Sequence, residues 1–265
     1  MEAQAGGAPD RDYMAGLGKG LAVIECFDDR RSRLTIAEVA VLTGLSRAAA
    51  RRCLITLQRL GYMTFDGKFF CLAPRVLRLG YAYLASTELP QLVQPFLDRL
   101  SEQIHESCSA SILDGTEILY IARSAKKRIM SVDLGVGSRL PAYCTSMGRV
   151  LLAALPPEEA AQRLEASDRR RATPQTRTRV DDLLRILSTV RRQGYCVVDQ
   201  ELEAGLVSLA VPVIDATGHT VAAINSSAQS ARIAAADMPP QYLASLIEAQ
   251  AGLRPLIKTA TAAGR

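Results

Sequence analysis

The chain has 265 residues, 48% of them hydrophobic and 22% charged, a composition that fits about two folded domains and excludes a disordered chain. No apolar run reaches the ~18 residues of a membrane span, and Met1 to Ala8 has neither the basic start nor the apolar core of a secretory signal. The net charge of +5 is unevenly spread: from Arg30 to Gly80 ten cations meet only Glu38 and Asp66, so this stretch carries +8 and the rest of the chain −3. A basic module on an acidic body points to a polyanion as partner of the first domain.

Cys26, Cys53, Cys71, Cys108, Cys144 and Cys196 are scattered, with no C-x-x-C pair, and the only histidines are His105 and His219. That pattern argues against a disulfide scaffold and against a metal site of short ligand spacing, and it fits a reducing cytoplasm.

Leu17 to Phe27 reads as a first helix with Leu21, Val23, Ile24 and Phe27 apolar. Thr35 is a good N-cap and Glu38, three residues on, completes a capping box. Ile36, Val39, Ala40 and Leu42 then form an apolar face that closes at Thr43-Gly44. Ser46 caps a third helix whose inner face is Ala50, Cys53, Leu54, Leu57 and Leu60, and Gly61 ends it. Its outer face offers Arg47, Ala48, Arg51, Arg52 and Thr56. A short helix, a glycine turn and a helix with a basic start form a helix-turn-helix signature, whose second helix enters a major groove. Guanidinium groups there can read guanine edges or grip phosphates.

Tyr62 to Leu72 carries two β-rich runs around Asp66-Gly67, a hairpin signal, and a hairpin after a recognition helix is a wing. Lys68 at its tip is placed to meet a phosphate. The expected DNA-contacting set is therefore Ser46, Arg47, Ala48, Arg51, Arg52, Thr56 and Lys68, and the expected ligand is a double-stranded operator. Val76 to Leu84, opened by Pro74, reads as a linker helix interrupted near Ser86 to Pro90. The expected boundaries are a winged helix over 13–74, a linker over 75–90 and a second domain over 91–260.

In that second domain, Leu92 to Ile104 is an amphipathic helix. Ser109 to Leu113 and Glu117 to Ala122 flank an Asp114-Gly115 turn, and Ile129 to Val132 is a third strand. Cys144 to Ala154 is a helix burying Met147, Val150 and Leu151, with further helices at Glu158 to Ala166 and Val180 to Gln193. Strands follow at Cys196 to Val198, Val207 to Val213 and Thr220 to Asn225, and a helix at Tyr242 to Ile257 closes the chain. Antiparallel hairpins with separate helices make this an α+β domain. The Arg169-Arg170-Arg171 run reads as a solvated loop, with a second DNA contact as the alternative.

From about Leu17 to Ile257 the chain resembles IclR-type transcriptional regulators. The segment from Gly137 to Ala153 carries the resemblance, with the stretch from Gly194 through Asp199, Glu201, Glu203 and Gly205 to Leu206 and the run from Ser208 to Val213. These forms are similar to the branch that regulates aromatic-acid catabolism through the β-ketoadipate pathway (the PcaR/PcaU/PobR group). The resemblance implies a GAF-like effector domain, dimers or tetramers, and an effector such as protocatechuate, 4-hydroxybenzoate or β-ketoadipate. It also places the pocket at Ser146, Met147, Asp199, Ser208, Asn225 and Ser227. Members sensing small oxo-acids carry a smaller residue in place of Met147 and a serine in place of Asn225, so oxo-acid specificity does not transfer. A regulator answering to another small carboxylate is the alternative.

The residues themselves supply an anion site. The helix starting near Cys144 and Thr145 exposes the N–H groups of Ser146, Met147 and Gly148, and a helix start attracts a carboxylate. Asp199 can accept a ligand hydroxyl or equally make a turn, while Ser208, Asn225 and Ser227 can equally serve backbone groups at strand ends. Arg128 and Arg139 are further candidates for the carboxylate, or surface residues. Two rival classes stand beside the regulator. An enzyme would use Cys144 as nucleophile, but neither histidine lies in a nucleophile-like motif and no P-loop or G-x-G-x-x-G motif is present, so no cofactor is expected. An architectural DNA-binding protein would not need so large a body after the wing.

Overall fold

In the computed structural model, residues 12–28, 31–80, 87–126 and 134–257 are described. Chain contacts divide it into two units, Met1–Tyr83 and Leu84–Arg265. The first unit holds α1 (Ala15–Glu25), α2 (Ile36–Thr43), α3 (Arg47–Arg59) and the hairpin β1 (Met63–Phe65) and β2 (Phe70–Leu72). Both halves of the capping box form: Thr35 Oγ1 accepts from Glu38 N at 3.3 Å, and Glu38 Oε2 accepts from Thr35 N at 2.7 Å. Gly44 ends α2 at φ 69°, a left-handed conformation that only glycine enters without a Cβ clash. Val23, Val39, Ala50, Leu54, Leu57, Met63 and Phe70 fill the core. Leu60 falls outside it, 52% exposed where α3 ends, and Leu21 and Leu42 are exposed as well.

The expected hairpin forms around Asp66-Gly67. Phe65 pairs with Phe70, so four residues connect the strands. Asp66 Oδ1 accepts from the N–H groups of Lys68 at 2.9 Å and Phe69 at 2.8 Å, and this side-chain cap is what a longer loop requires. Leu34 adds an antiparallel bridge to Phe70. After a 3-10 turn at Pro74–Val76 the chain is helical over 77–80; residues 81–86 of the expected linker lie outside the described residues, and its end, Glu88 to Pro90, opens the helix Glu88–Ile104.

The second unit is built on one six-stranded antiparallel sheet. Its strands are β3 (Ser107–Asp114), β4 (Glu117–Ser124), β5 (Arg139–Pro141), β6 (Cys196–Asp199), β7 (Leu206–Ile214) and β8 (Thr220–Gln229), in the order β5-β4-β3-β8-β7-β6. Helices α4 (Glu88–Ile104) and α8 (Met238–Leu253) cover one face, burying Val93, Leu97, Leu246 and Leu253 against Cys108, Ala110, Leu209 and Ile224. Helices α5 (Ser146–Ala154), α6 (Pro157–Ala166) and α7 (Val180–Gln193) cover the other, with Met147, Leu151, Leu164, Leu183 and Leu187 against Tyr120, Ala210 and Ala223. The expected strand at Ile129 to Val132 lies outside the described residues. Helix α5 starts at Ser146 rather than Cys144, because Ala142–Cys144 forms a 3-10 turn first.

Period-two alternation makes the two faces of this sheet chemically different. On β3, Cys108 and Ala110 face α4 and α8, which leaves Ser107, Ser109 and Ser111 on the α5 side. Cross-strand pairing continues that polar side: Ser109 pairs with Asn225, Ser107 with Ser227, and Ser227 with Ser208. On β4, a bulge resets the alternation. Ala110 pairs with Ala122 but Ser111 pairs with Tyr120, so Ile121 is the extra residue. Ile121 and Ala122 both join the α4–α8 face, and Arg123 returns to the same side as Tyr120.

The polar face is held under α5 by a buried ion pair. Arg149 Nη1 and Nη2 donate to Glu201 Oε1 and Oε2 at 2.6 and 2.7 Å, with the two side chains 3% and 8% exposed. Arg149 Nε donates to Tyr143 O at 2.8 Å, and Glu201 Oε2 accepts from Arg177 N at 2.7 Å. Thr176 Oγ1 donates to Glu201 O at 2.7 Å and Thr173 Oγ1 to Gln200 O at 2.6 Å. The 167–179 segment is therefore anchored at Thr173, Thr176 and Arg177, while Arg170 and Arg171 are exposed, as expected of a solvated loop. Tyr143 Oη donates to Arg170 O, and Arg169 Nε donates to Thr178 O at 3.0 Å. Removing one partner strands a buried charge, so Glu201→Gln is expected to destabilise the protein by about 3–5 kcal/mol in urea unfolding. An Arg149→Met, Glu201→Leu double variant is expected to recover most of that loss; a Glu201→Gln variant as stable as the parent contradicts the assignment.

Candidate functional site

Beneath the start of α5, the polar face of the sheet borders a cavity of about 20 Å³, room for about one water. Strand β4 contributes Tyr120 and Arg123, β7 Ser208, and β8 Asn225 and Ser227, while Ser146 and Met147 close it from α5. Val198, Leu202 and Leu206 form an apolar side. Two buried atoms of the lining lack a hydrogen-bond partner, Ser146 Oγ and Asn225 Oδ1. A buried, unsatisfied polar atom costs about 1–3 kcal/mol, so two around one cavity mark a place that a polar guest completes. A third such atom, Ser226 Oγ, belongs to the other, apolar face, where Ser226 is paired with Cys108 and Leu209 on the neighbouring strands.

Five of the six expected effector residues, Ser146, Met147, Ser208, Asn225 and Ser227, meet at this cavity. Asp199 does not. It follows Val198 on β6, so alternation turns it away; it is exposed, and Oδ1 accepts from Gln200 Nε2 at 3.2 Å. The helix start also differs in detail. Thr145 Oγ1 accepts from Gly148 N at 3.2 Å, leaving the N–H groups of Ser146 and Met147 as the available donors. Gly148 is small for packing rather than for a ligand, since a Cβ there would lie 2.3 Å from Ala142 O. Met147 is 1% exposed and its Sδ accepts from Ser111 Oγ at 3.3 Å, so its thioether lies over the serine-bearing strand.

Sequence reasoning missed Ser107, Tyr120 and Arg123. Alternating serines on β3 are a legible signal of a polar sheet face. Arg123 is hidden, because unbroken alternation from Tyr120 assigns it to the other face and only the bulge brings it back. Of the two arginines weighed for a carboxylate, Arg139 instead pairs at the surface with Asp114 and Glu117 at 2.7 and 2.8 Å, and Arg128 lies outside the described residues. Burial pushes the Tyr120 hydroxyl up to about 12, which keeps it a neutral donor.

In the first unit, Ser46 caps α3 by accepting from Ala49 N at 3.3 Å. Arg47, Ala48, Arg51, Arg52 and Thr56 are all exposed, and among the described residues none of the three arginines is in an ion pair. Arg47 and Arg51 are one turn apart and share a flank. Arg51 borders a groove with Phe65 and Phe70 of the hairpin, whereas Arg52 and Thr56 border one with α1. Thr56 Oγ1 donates to Arg52 O at 2.8 Å. Lys68 is exposed on the wing, its Nζ 5.0 Å from the centroid of the Phe69 ring.

Cys144 has the wrong electrostatics for a nucleophile. It is 1% exposed, and burial, the largest effect, pushes its thiol up to about 11 although Tyr143 and Arg149 pull it down. Among the described residues no helix is long and apolar enough to cross a membrane, and no group of three or more His, Cys, Asp or Glu is placed to hold a metal.

Residues 16–67 match the IclR helix-turn-helix domain, and residues 81–252 match the bacterial transcriptional regulator IclR C-terminal domain. The Pca regulon regulatory protein of Pseudomonas putida is 49% identical over 92% of this chain and 84% of its own. The p-hydroxybenzoate hydroxylase transcriptional activator of Acinetobacter baylyi is 42% identical over 88% of this chain and 86% of its own. A solved structure of the inducer-binding domain of an Acinetobacter PobR double mutant with 3-hydroxybenzoic acid superposes at TM-score 0.61 and 35% identity. It covers 64% of this chain and all of that one.

The thiol environments predict an order of reactivity. With iodoacetamide at neutral pH, partly exposed Cys53 and Cys71 are expected to be alkylated first. Cys108 and Cys196, each pushed up to about 12 by burial, and Cys144 are expected to react only as the chain unfolds. Peptide mass spectrometry reads the order, and Cys144 reacting first in the native protein contradicts this account.

Proposed function

The chain belongs to the IclR family of bacterial transcriptional regulators, and on that premise we propose that it controls genes of aromatic-acid catabolism by binding a small carboxylate effector in the cavity under α5. It is a ligand-responsive transcriptional regulator with a helix-turn-helix domain for DNA. The observation that carries the effector reading is the pair of orphaned atoms, Ser146 Oγ and Asn225 Oδ1, around one cavity. The names of its relatives support the aromatic class: one is a p-hydroxybenzoate hydroxylase transcriptional activator, and one inducer-binding domain is solved with 3-hydroxybenzoic acid.

On DNA, α3 enters a major groove with Ser46, Arg47, Ala48, Arg51, Arg52 and Thr56 toward bases and phosphates, and Lys68 on the wing meets the backbone. Two copies of so small a reader match the two halves of a pseudopalindromic operator, so the acting species is a dimer or a pair of dimers in the cytoplasm. The effector works through population shift. The cavity has room for about one water, so an acid the size of one ring enters only a conformation in which Met147 or the start of α5 has moved. Differential affinity for that conformation is the whole of its leverage. Arg149 ties α5 to Glu201, next to Leu202, so the displacement reaches the 200–206 segment.

Two outcomes check this reading. Arg51→Ala, Arg52→Ala is expected to weaken binding to DNA upstream of the chain's own gene by at least about 10-fold at fixed salt. It should also flatten the dependence of log K on log salt by about 0.9 for each phosphate no longer neutralised. Unchanged affinity and slope contradict the placement of the recognition face. In the same mobility shift, 4-hydroxybenzoate, protocatechuate or β-ketoadipate is expected to alter the complex. Indifference to all three in both the shift and a transcription assay contradicts the aromatic assignment.

A further inference from the structure

Among the described residues, Arg123 is the one cation lining the cavity, and no carboxylate of theirs lines it. Its Nη1 donates to Ser109 Oγ at 3.1 Å, and among the described residues it has no ion-pair partner. A guanidinium has five donors and takes a carboxylate with two at once, so most of its capacity is unused. The sheet holds it in one row with the other unsatisfied group: Arg123 pairs across to Ser109, and Ser109 to Asn225. Two strand spacings, about 10 Å between backbones, separate Arg123 from Asn225, and both side chains line the same cavity.

The Asn225 end asks for the opposite chemistry. Its Nδ2 donates to Ser227 Oγ at 2.9 Å, while Oδ1 is buried with no donor. An acceptor left alone is completed by a hydroxyl proton and repelled by a second carboxylate. The start of α5 competes weakly for the acid, because a helix end carries only about half a charge and Thr145 already occupies Gly148 N. The guanidinium carries a full charge that is always present.

We propose that Arg123 is the counter-ion of the effector's carboxylate and that Asn225 Oδ1 accepts a hydroxyl proton at the effector's other end. The ligand class is then a hydroxylated monocarboxylate spanning β4 to β8. The assignment rests on the cavity being the effector site. The bulge at Ile121 is the device that creates it, since without the extra residue the β4 alternation turns Arg123 to the apolar face.

Calorimetric titration of the full chain tests it, with 4-hydroxybenzoate, protocatechuate, β-ketoadipate and the neutral amide 4-hydroxybenzamide as probes. The parent protein is expected to bind a hydroxybenzoate about 10- to 100-fold more tightly than the amide. Arg123→Gln is expected to erase that preference by weakening the acid alone, and Arg123→Lys to restore part of it, with thermal unfolding checking that each variant is folded. Undiminished acid binding by a folded Arg123→Gln overturns the role of Arg123 and leaves the cavity reading standing. Tight β-ketoadipate binding without hydroxybenzoate binding overturns the ligand class. A parent protein that binds none of the acids overturns the cavity reading and this assignment together.

Discussion

The buried pair of Arg149 and Glu201 is the constraint on which the effector domain's working face depends. Desolvating two charges costs several kcal/mol each unless geometry and further hydrogen bonds offset it. Here both terminal guanidinium nitrogens meet both carboxylate oxygens, and Tyr143 O and Arg177 N complete the set. These bonds join α5, Glu201 and the 173–177 segment in one buried network. The first residues of α5 and Leu202 and Leu206 are cavity walls, so the pair ties together two sides of the cavity.

A second consequence follows from the sheet. An antiparallel sheet covered by helices on both faces is ordinarily apolar on both, yet this one carries Ser107, Ser109, Asn225, Ser227 and Ser208 on the face under α5. That loss of apolar burial weakens the domain at the place where a polar guest can compensate. Met147 limits the loss by laying a flexible thioether across Ser111.

Much of this was legible in the chain itself. The capping box at Thr35 and Glu38, the glycine turn at Gly44 and the basic start of α3 obey local rules, and local rules settle short-range structure. The α+β character was also legible, whereas it was the resemblance to IclR-type regulators that pointed to Ser146, Met147, Ser208, Asn225 and Ser227, which line one cavity. What was not legible depends on non-local pairing. Asp199 sits beside the right residues in sequence, but strand alternation turns it outward. Arg123 sits wrongly by alternation, and a bulge corrects it. Arg170 and Arg171 are exposed as their composition suggests, but the anchoring of the neighbouring Thr173 and Thr176 to the 200–201 backbone is visible only in three dimensions.

Hydrogen–deuterium exchange of the full chain, with and without saturating 4-hydroxybenzoate, protocatechuate or β-ketoadipate, tests the central claim most directly, because it locates the ligand without assuming its orientation. The account predicts that the acid that binds slows exchange in the peptides spanning residues 144–150, 206–208 and 225–227, and at the end of β4. Protection confined to other segments while an acid binds would contradict the assignment of the effector site to the cavity under α5.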